Sequence, residues 1–174
     1  MLNRPSRRER PHYGERLLRA PATARYADCL WLLDSRPKNI YVAATLGEQE
    51  TAAKFALSLR DAGFHVTSRW LRKDFSDRPD ASAGWVEYDA YEAAWGEIDL
   101  DDLRVSDTLI VLAHQPSATG GYHVELGYFL GAGRTNIIVV GERPNVFYFT
   151  SNVRYTRTTD GLVDWLRSEE HGKW

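Results

Sequence analysis

The residue best placed to do chemistry is Glu125, a carboxylate early in a predicted helix. It follows the apolar run 108–113 and the glycine pair 120–121. A buried strand, a glycine turn and a helix with a carboxylate in its first turns are how an open α/β sheet builds a ligand site at its carboxyl edge. Glu125 is therefore the candidate centre of the chemistry. The alternative is a solvated residue near a helix start, where the helix dipole favours negative charge.

The elements around this stretch alternate between strand and helix. The apolar runs predict strands at 40–44, 64–67, 108–113, 136–140 and, more weakly, 153–156, and the helical repeats predict helices at 48–62, 84–104 and 121–133. Asp160 is the predicted cap of a last amphipathic helix. This alternation predicts the α/β class, as a single-domain flavodoxin-like or Rossmann-like parallel sheet of four to five strands with helices on both faces.

The chain divides into three parts by composition. Residues 1–37 form an Arg-rich N-terminal extension with a helix predicted at 23–35, residues 38–168 form the α/β domain, and residues 169–174 form a C-terminal tail. The extension carries seven arginines within its first 25 residues. Such an arm binds nucleic acid or is a solvated tail, and we favour the tail, so we expect no nucleic-acid partner.

Composition limits the function classes further. The chain has 174 residues, a formal net charge of -2 and one cysteine, Cys29. A single cysteine excludes an internal disulfide and a thiol cluster for structural zinc, and it predicts a reducing, cytoplasmic compartment. The apolar runs are far shorter than the roughly 20 residues of a membrane helix, so we expect no membrane span.

Aromatic residues recur every three or four positions along the predicted helix 84–104. They are Trp85, Tyr88, Tyr91 and Trp95. A stripe at this spacing packs in a core or a subunit interface more often than it binds substrate. Together with the family resemblance given next, this surplus predicts a homo-oligomer.

Three pieces of the chain carry a resemblance to a known family. They are the run 40–45, Asp99 eight residues before Asp107, and the block Gly-x-x-x-Glu-Leu-Gly-Tyr at 121–128. With these pieces, the chain from about residue 39 to 166 resembles the nucleoside 2-deoxyribosyltransferase family. That family includes related N-glycosidases that act on nucleoside 5'-monophosphates.

The resemblance implies a set of catalytic roles. Glu125 would be the nucleophile on the anomeric carbon of the sugar, Asp99 would assist proton transfer, and Tyr41 would orient the carboxylate. Cleavage of an N-glycosidic bond passes through an oxocarbenium-like state, so a trapping carboxylate and a proton-handling group suffice. We expect no metal and no cofactor, and His114 and His123 belong to no ligand cluster.

The resemblance also implies where the 5' end of a substrate binds. Six residues before the nucleophile the transferases usually carry an aspartate for the sugar 5'-hydroxyl, whereas this chain has Thr119. The nucleotide hydrolases place hydroxyl residues there and after the first strand, where Thr45 stands. With the amides of Gly120 and Gly121, such a site would bind a 5'-monophosphate more tightly than its nucleoside. Alternatively, both threonines are ordinary turn residues, or Ser117 takes the place of Thr119.

Two further residues are substrate-binding candidates. Asn145 follows the fourth strand and matches a position from which the family reaches the sugar bound by a neighbouring subunit. Trp70 precedes the polar stretch 73–83, which has the length of an active-site loop.

Three hypotheses for function follow. The first is an enzyme that cleaves or exchanges the base of a nucleoside or nucleoside 5'-monophosphate, as a transferase or as a hydrolase. The second is a nucleotide-binding module without turnover, and the third is an interaction protein that uses its Arg-rich arm and Trp-rich helices. Release of free base separates the first from the others, and stabilisation by ligand without release indicates the second.

Overall fold

The computed structural model describes residues 37–79, 85–116, 120–143 and 146–168. Within these ranges one sheet contains the parallel strands β1 (Asn39–Ala43), β2 (His65–Val66), β3 (Thr108–Ala113), β4 (Ile137–Gly141) and β5 (Val153–Thr156). Their order is β2-β1-β3-β4-β5. This is the flavodoxin-like order, so the predicted α/β fold is confirmed. The helix predicted at 23–35 and the tail 169–174 lie outside the described residues.

Four α-helices connect or follow these strands in the described ranges. They are α1 (Gln49–Asp61), α2 (Trp85–Val105), α3 (Gly121–Gly131) and α4 (Leu162–Arg167), and single turns of 3-10 helix occur at Leu46–Glu48, Arg69–Arg72, Phe75–Asp77 and Val146–Phe149. None of the helices in these ranges has the length and apolar character needed to cross a membrane.

The central strands form the core. All six residues of β3 are buried, as are residues 40–43 of β1 and 137–140 of β4. Strands buried on both faces read as continuous apolar runs in the sequence, which is why these three were predicted almost to the residue. The same burial fixes the backbone of β1, which carries Tyr41.

Two local predictions differ from the structure. The strand predicted at 64–67 is confirmed but shorter, since β2 comprises only His65–Val66, although the backbone N–H of Thr67 also donates to the Ile40 carbonyl at 3.0 Å. Asp160 does not cap the last helix; its N-cap is Gly161, at φ 70°. That left-handed conformation suits glycine, so the helix begins one residue later than the aspartate would place it.

Candidate active site

The side chains of Tyr41 and Glu125 meet between β1 and α3. The Tyr41 hydroxyl donates a hydrogen bond of 2.7 Å to Oε1 of Glu125, across 84 positions of sequence. Tyr41 is fully buried, and burial together with the neighbouring Glu125 carboxylate raises the pKa of its hydroxyl. The hydroxyl therefore stays protonated and remains a donor. It fixes one oxygen of the carboxylate and leaves the other available.

Two carboxylate oxygens at this site are buried without a hydrogen-bond partner among the described residues. They are Oε2 of Glu125 and Oδ1 of Asp99. A buried acceptor left unpaired costs about 1–3 kcal/mol, so such atoms are rare in folded proteins and call for an explanation. A bound ligand or an added proton would satisfy both oxygens.

Glu125 holds its proton more tightly than an ordinary glutamate. Its pKa is raised from 4.5 to about 8, mainly by burial and also by the Asp99 carboxylate, while the hydrogen bond from Tyr41 opposes the rise. Near neutral pH the protonated form of the unliganded protein predominates. The carboxyl group can therefore give up its proton within the range where most enzymes work.

The pKa of Asp99, on α2, is also raised, but by less than that of Glu125. Burial and the charge of Asp102 raise its pKa from 3.8 to about 6, while Lys73 and Tyr41 lower it. Asp102 is itself fixed, because Arg69 donates to it from the backbone N–H at 2.8 Å and from Nε at 2.7 Å. Two carboxyl groups with separated pKa values are the arrangement that acid–base chemistry needs.

Replacing Glu125 by glutamine should make stability less sensitive to a rise in pH between about 4.5 and about 8. The folded-state pKa of about 8 lies above the ordinary 4.5, so the stability due to the bound proton is complete below about 4.5 and is lost as the pH rises through about 8. Glutamine has no proton to lose. We expect Glu125→Gln to gain stability relative to wild type between pH 5 and pH 9, by a few kcal/mol and about 5 °C or more in Tm.

Thermal unfolding of both proteins across this pH range tests the expectation. The amide introduces its own unpaired donor, so the readout is how the difference in Tm changes with pH, not its value at one pH. Exposed Glu97→Gln is the matched control and should follow wild type. A constant difference from pH 5 to pH 9 would contradict a buried, proton-holding Glu125.

The structure describes four of the seven glycine, hydroxyl, amide and aromatic candidates, and two of them begin the helix that carries Glu125. Gly120 is the N-cap of α3 and Gly121 its first residue. The remaining candidates Ser117, Thr119 and Asn145 lie outside the described residues. Substrate contacts by any of them stay predictions.

Thr45 and Trp70, the other two candidates that the structure describes, are both engaged within the chain. The Thr45 hydroxyl donates to Oε2 of Glu48 at 3.1 Å. Trp70 is only 8% exposed and donates its indole N–H to the Val42 carbonyl at 2.9 Å. A substrate contact by either residue also stays a prediction, and for Trp70 it requires the ring to reach the ligand from a buried position.

Tyr148 is a neighbour of the site that the sequence analysis missed. It is buried in the 3-10 turn before β5, and its hydroxyl lies 3.0 Å from Nδ1 of His123. Burial, Tyr122 and Glu125 raise the pKa of its hydroxyl. Tyr148 lies 23 residues after Glu125, in an aromatic stretch whose spacing indicates no particular chemistry. No local sequence pattern therefore identified it as a site residue.

Two aromatic residues of the α2 stripe, Tyr91 and Trp95, contact a cation within the chain. Nζ of Lys73 lies 4.6 Å from the ring centre of Tyr91 and 4.5 Å from that of Trp95. Gln49 holds the segment that carries Lys73, because its side-chain amide donates to the carbonyls of Trp70 and Lys73, each at 3.0 Å. Asp99 follows Trp95 by one helical turn, so the cation lies along the face that carries this acid.

No group of three or more His, Cys, Asp or Glu side chains in the described ranges is arranged to hold a metal ion. The site as described consists of a buried tyrosine and two carboxyl groups. Such a set can trap an electrophilic carbon and move one proton.

Comparisons with known proteins show similarity to solved structures. No family model and no curated protein matches this chain. A solved structure of a CMP N-glycosidase from Clostridium botulinum, BcmB, is similar, with a TM-score of 0.48 and 20% sequence identity. The match covers 74% of this chain and 98% of that chain. Function must therefore be inferred from the geometry of this chain's own side chains.

Proposed function

We propose that this protein is an enzyme that cleaves the N-glycosidic bond of a nucleoside or nucleoside 5'-monophosphate through a glycosyl intermediate on Glu125. The observation that carries the proposal is the Glu125 carboxyl group. One oxygen is fixed by Tyr41 at 2.7 Å, and the other is buried without a partner among the described residues. An oriented carboxylate with one free oxygen is what attack on an anomeric carbon requires.

The first step forms one bond and breaks one. Oε2 of ionised Glu125 bonds to C1' of the sugar as the bond from C1' to the base nitrogen breaks. The electron pair of that bond leaves with the base, and protonated Asp99 supplies a proton to it. The product is a glycosyl ester on Glu125 and a free, neutral base.

The second step returns the enzyme to its starting state. Water attacks C1' of the ester and passes a proton to Asp99, which gives the free sugar and ionised Glu125. A second base attacking in place of water would give a new nucleoside. Tyr41 donates to Glu125 throughout and makes the carboxylate a better leaving group in this step.

A chromatographic screen tests the proposal. The eight common ribo- and deoxyribonucleosides and their 5'-monophosphates are incubated with the protein, with and without an acceptor base. Free base without acceptor indicates a hydrolase, and a new nucleoside only with acceptor indicates a transferase. Stabilisation by a nucleotide without release of base would instead support a binding module without turnover.

We further expect a homo-oligomer that buries an apolar surface near the site. Val124 of α3 and Val146, Phe147 and Phe149 of the 3-10 turn are each more than half exposed. The turn directly follows Asn145, the residue whose family counterpart reaches a neighbouring subunit. Light scattering at micromolar concentration should give a mass above that of one chain.

A charge in this surface should dissociate the oligomer. Phe147→Glu should lower the mass measured by light scattering, because burying an unpaired carboxylate is costly. Leu57→Glu is a matched control, since Leu57 is similarly exposed, at 55%, but lies on α1. A wild-type protein that is monomeric and fully active would contradict this expectation.

A further inference from the structure

A second buried acid lies where β1 and β3 end, and the proposed chemistry does not use it. Glu48 is only 5% exposed. Its Oε1 lies 3.2 Å from Nδ1 of His114, and its Oε2 accepts the hydrogen bond from Thr45 at 3.1 Å. A carboxylate this deeply buried requires such partners, so the three side chains form one unit.

The fold makes room for the imidazole of this unit. His114 directly follows β3, and Gly141 ends the neighbouring β4. A Cβ on residue 141 would lie 3.0 Å from Cδ2 of His114 and 2.9 Å from the Ala113 carbonyl, and φ there is 105°. Only glycine meets both conditions without strain. The glycine at 141 therefore allows the ring to lie over the end of the sheet.

Contacts of the next residue join this unit to the candidate active site. The carbonyl of Gln115 accepts a hydrogen bond of 3.2 Å from the hydroxyl of Tyr122. Tyr122 precedes Glu125 by three positions on α3, and residues at that spacing are neighbours on one helix face. The imidazole thus belongs to the same end of the sheet as the nucleophile.

The charges and hydrogen-bond donors of Thr45, Glu48 and His114 determine which of these groups can bind an anion. Thr45 has one hydroxyl proton and directs it to Glu48, so it offers a phosphate no donor while that bond stands. Glu48 alone would repel a phosphate. His114 changes this balance, because an imidazolium cancels the carboxylate charge and carries a second N–H at Nε2.

Building on the function proposed above, we propose that His114, oriented by Glu48, binds the 5'-phosphate and gives the site its preference for nucleoside 5'-monophosphates over nucleosides. The carboxylate fixes Nδ1 and leaves Nε2 for the ligand, as carboxylates do for histidines that bind metals. The His114 side chain is 37% exposed, so a ligand can reach it.

Kinetics of base release with matched pairs of nucleoside and 5'-monophosphate test this proposal. We expect His114→Gln to lower kcat/KM for the monophosphate by about 10- to 100-fold, the range of a charge-assisted hydrogen bond, and to change that for the nucleoside by less than about threefold. His65→Gln is the matched control. His65 lies on β2 with its Nδ1 3.0 Å from Asn39, at the start of β1 and so at the opposite edge of the sheet.

A second measurement does not depend on catalysis. Millimolar inorganic phosphate should raise the Tm of wild type and His65→Gln but not that of His114→Gln. This separates the two proposals: phosphate stabilisation that requires His114 supports the phosphate site even if no base is released. Base release with an unchanged monophosphate preference in His114→Gln overturns the role of His114 and leaves the enzyme proposal standing. Equal loss for nucleoside and monophosphate also overturns it, since that indicates a structural role.

Discussion

Glu125→Gln should abolish base release, with a fall in kcat of at least about 10⁴-fold, the scale seen when a catalytic nucleophile is removed. The amide can still accept the hydrogen bond from Tyr41, so the geometry around it is kept. It lacks the ionisable oxygen that bonds to C1' in the proposed mechanism, so no glycosyl ester should form. Glu125→Ala should be equally inactive, and circular dichroism of both variants should match wild type.

The matched control for this loss is Glu97→Gln, an exposed glutamate on α2, which should keep wild-type turnover. Mass spectrometry of wild type quenched during turnover adds a direct test, because the proposed intermediate should add the mass of the sugar to the peptide that contains Glu125. Turnover in Glu125→Ala at the wild-type rate would remove Glu125 from the mechanism.

Asp99→Asn should lower kcat/KM by at least about 100-fold, the usual scale of general acid–base assistance. It should also change the pH profile. With Glu125 active when ionised, at a pKa of about 8, and Asp99 active when protonated, at a pKa of about 6, wild-type kcat/KM should rise up to about pH 6, stay level to about pH 8 and then fall. Asparagine needs no proton, so the variant should instead rise up to about pH 8 and stay level.

Initial rates between pH 5 and pH 10 measure both effects. Asp101→Asn is the matched control, because Asp101 lies two positions away on α2, is exposed and pairs with Arg104. It should retain the wild-type profile. If Asp99→Asn has the wild-type rate and only a shifted Tm, Asp99 serves the fold and not proton transfer.

Much of the fold could be predicted from the sequence because its main signal is burial. β3 and β4 are buried along nearly their whole length, and such strands read as unbroken apolar runs. β2 has two residues, too few for any periodic pattern to define its ends. The start of α4 is set by the left-handed backbone conformation of Gly161, and the pattern of apolar and polar side chains does not indicate that conformation.

The site was predictable only in part, for a different reason. The glycine turn and strand before Glu125 are local, so spacing alone marked that residue. The grouping with Tyr41 and Asp99 came from family resemblance, because no local pattern links positions so far apart. The pairing of His114 with Glu48 spans 66 positions and was missed for the same reason.

The hydrogen bond between Tyr41 and Glu125 has a consequence for how the protein reaches its active form. It joins residues 84 positions apart, on β1 and α3. The strand β1 also pairs with β3, although β2 and α2 lie between these two strands in sequence. Contacts that close such long loops form late and slowly in folding. Early compact species would hold helices and single strands but no oriented carboxylate. Catalytic competence should therefore arise only in the completed domain and not in any nascent fragment.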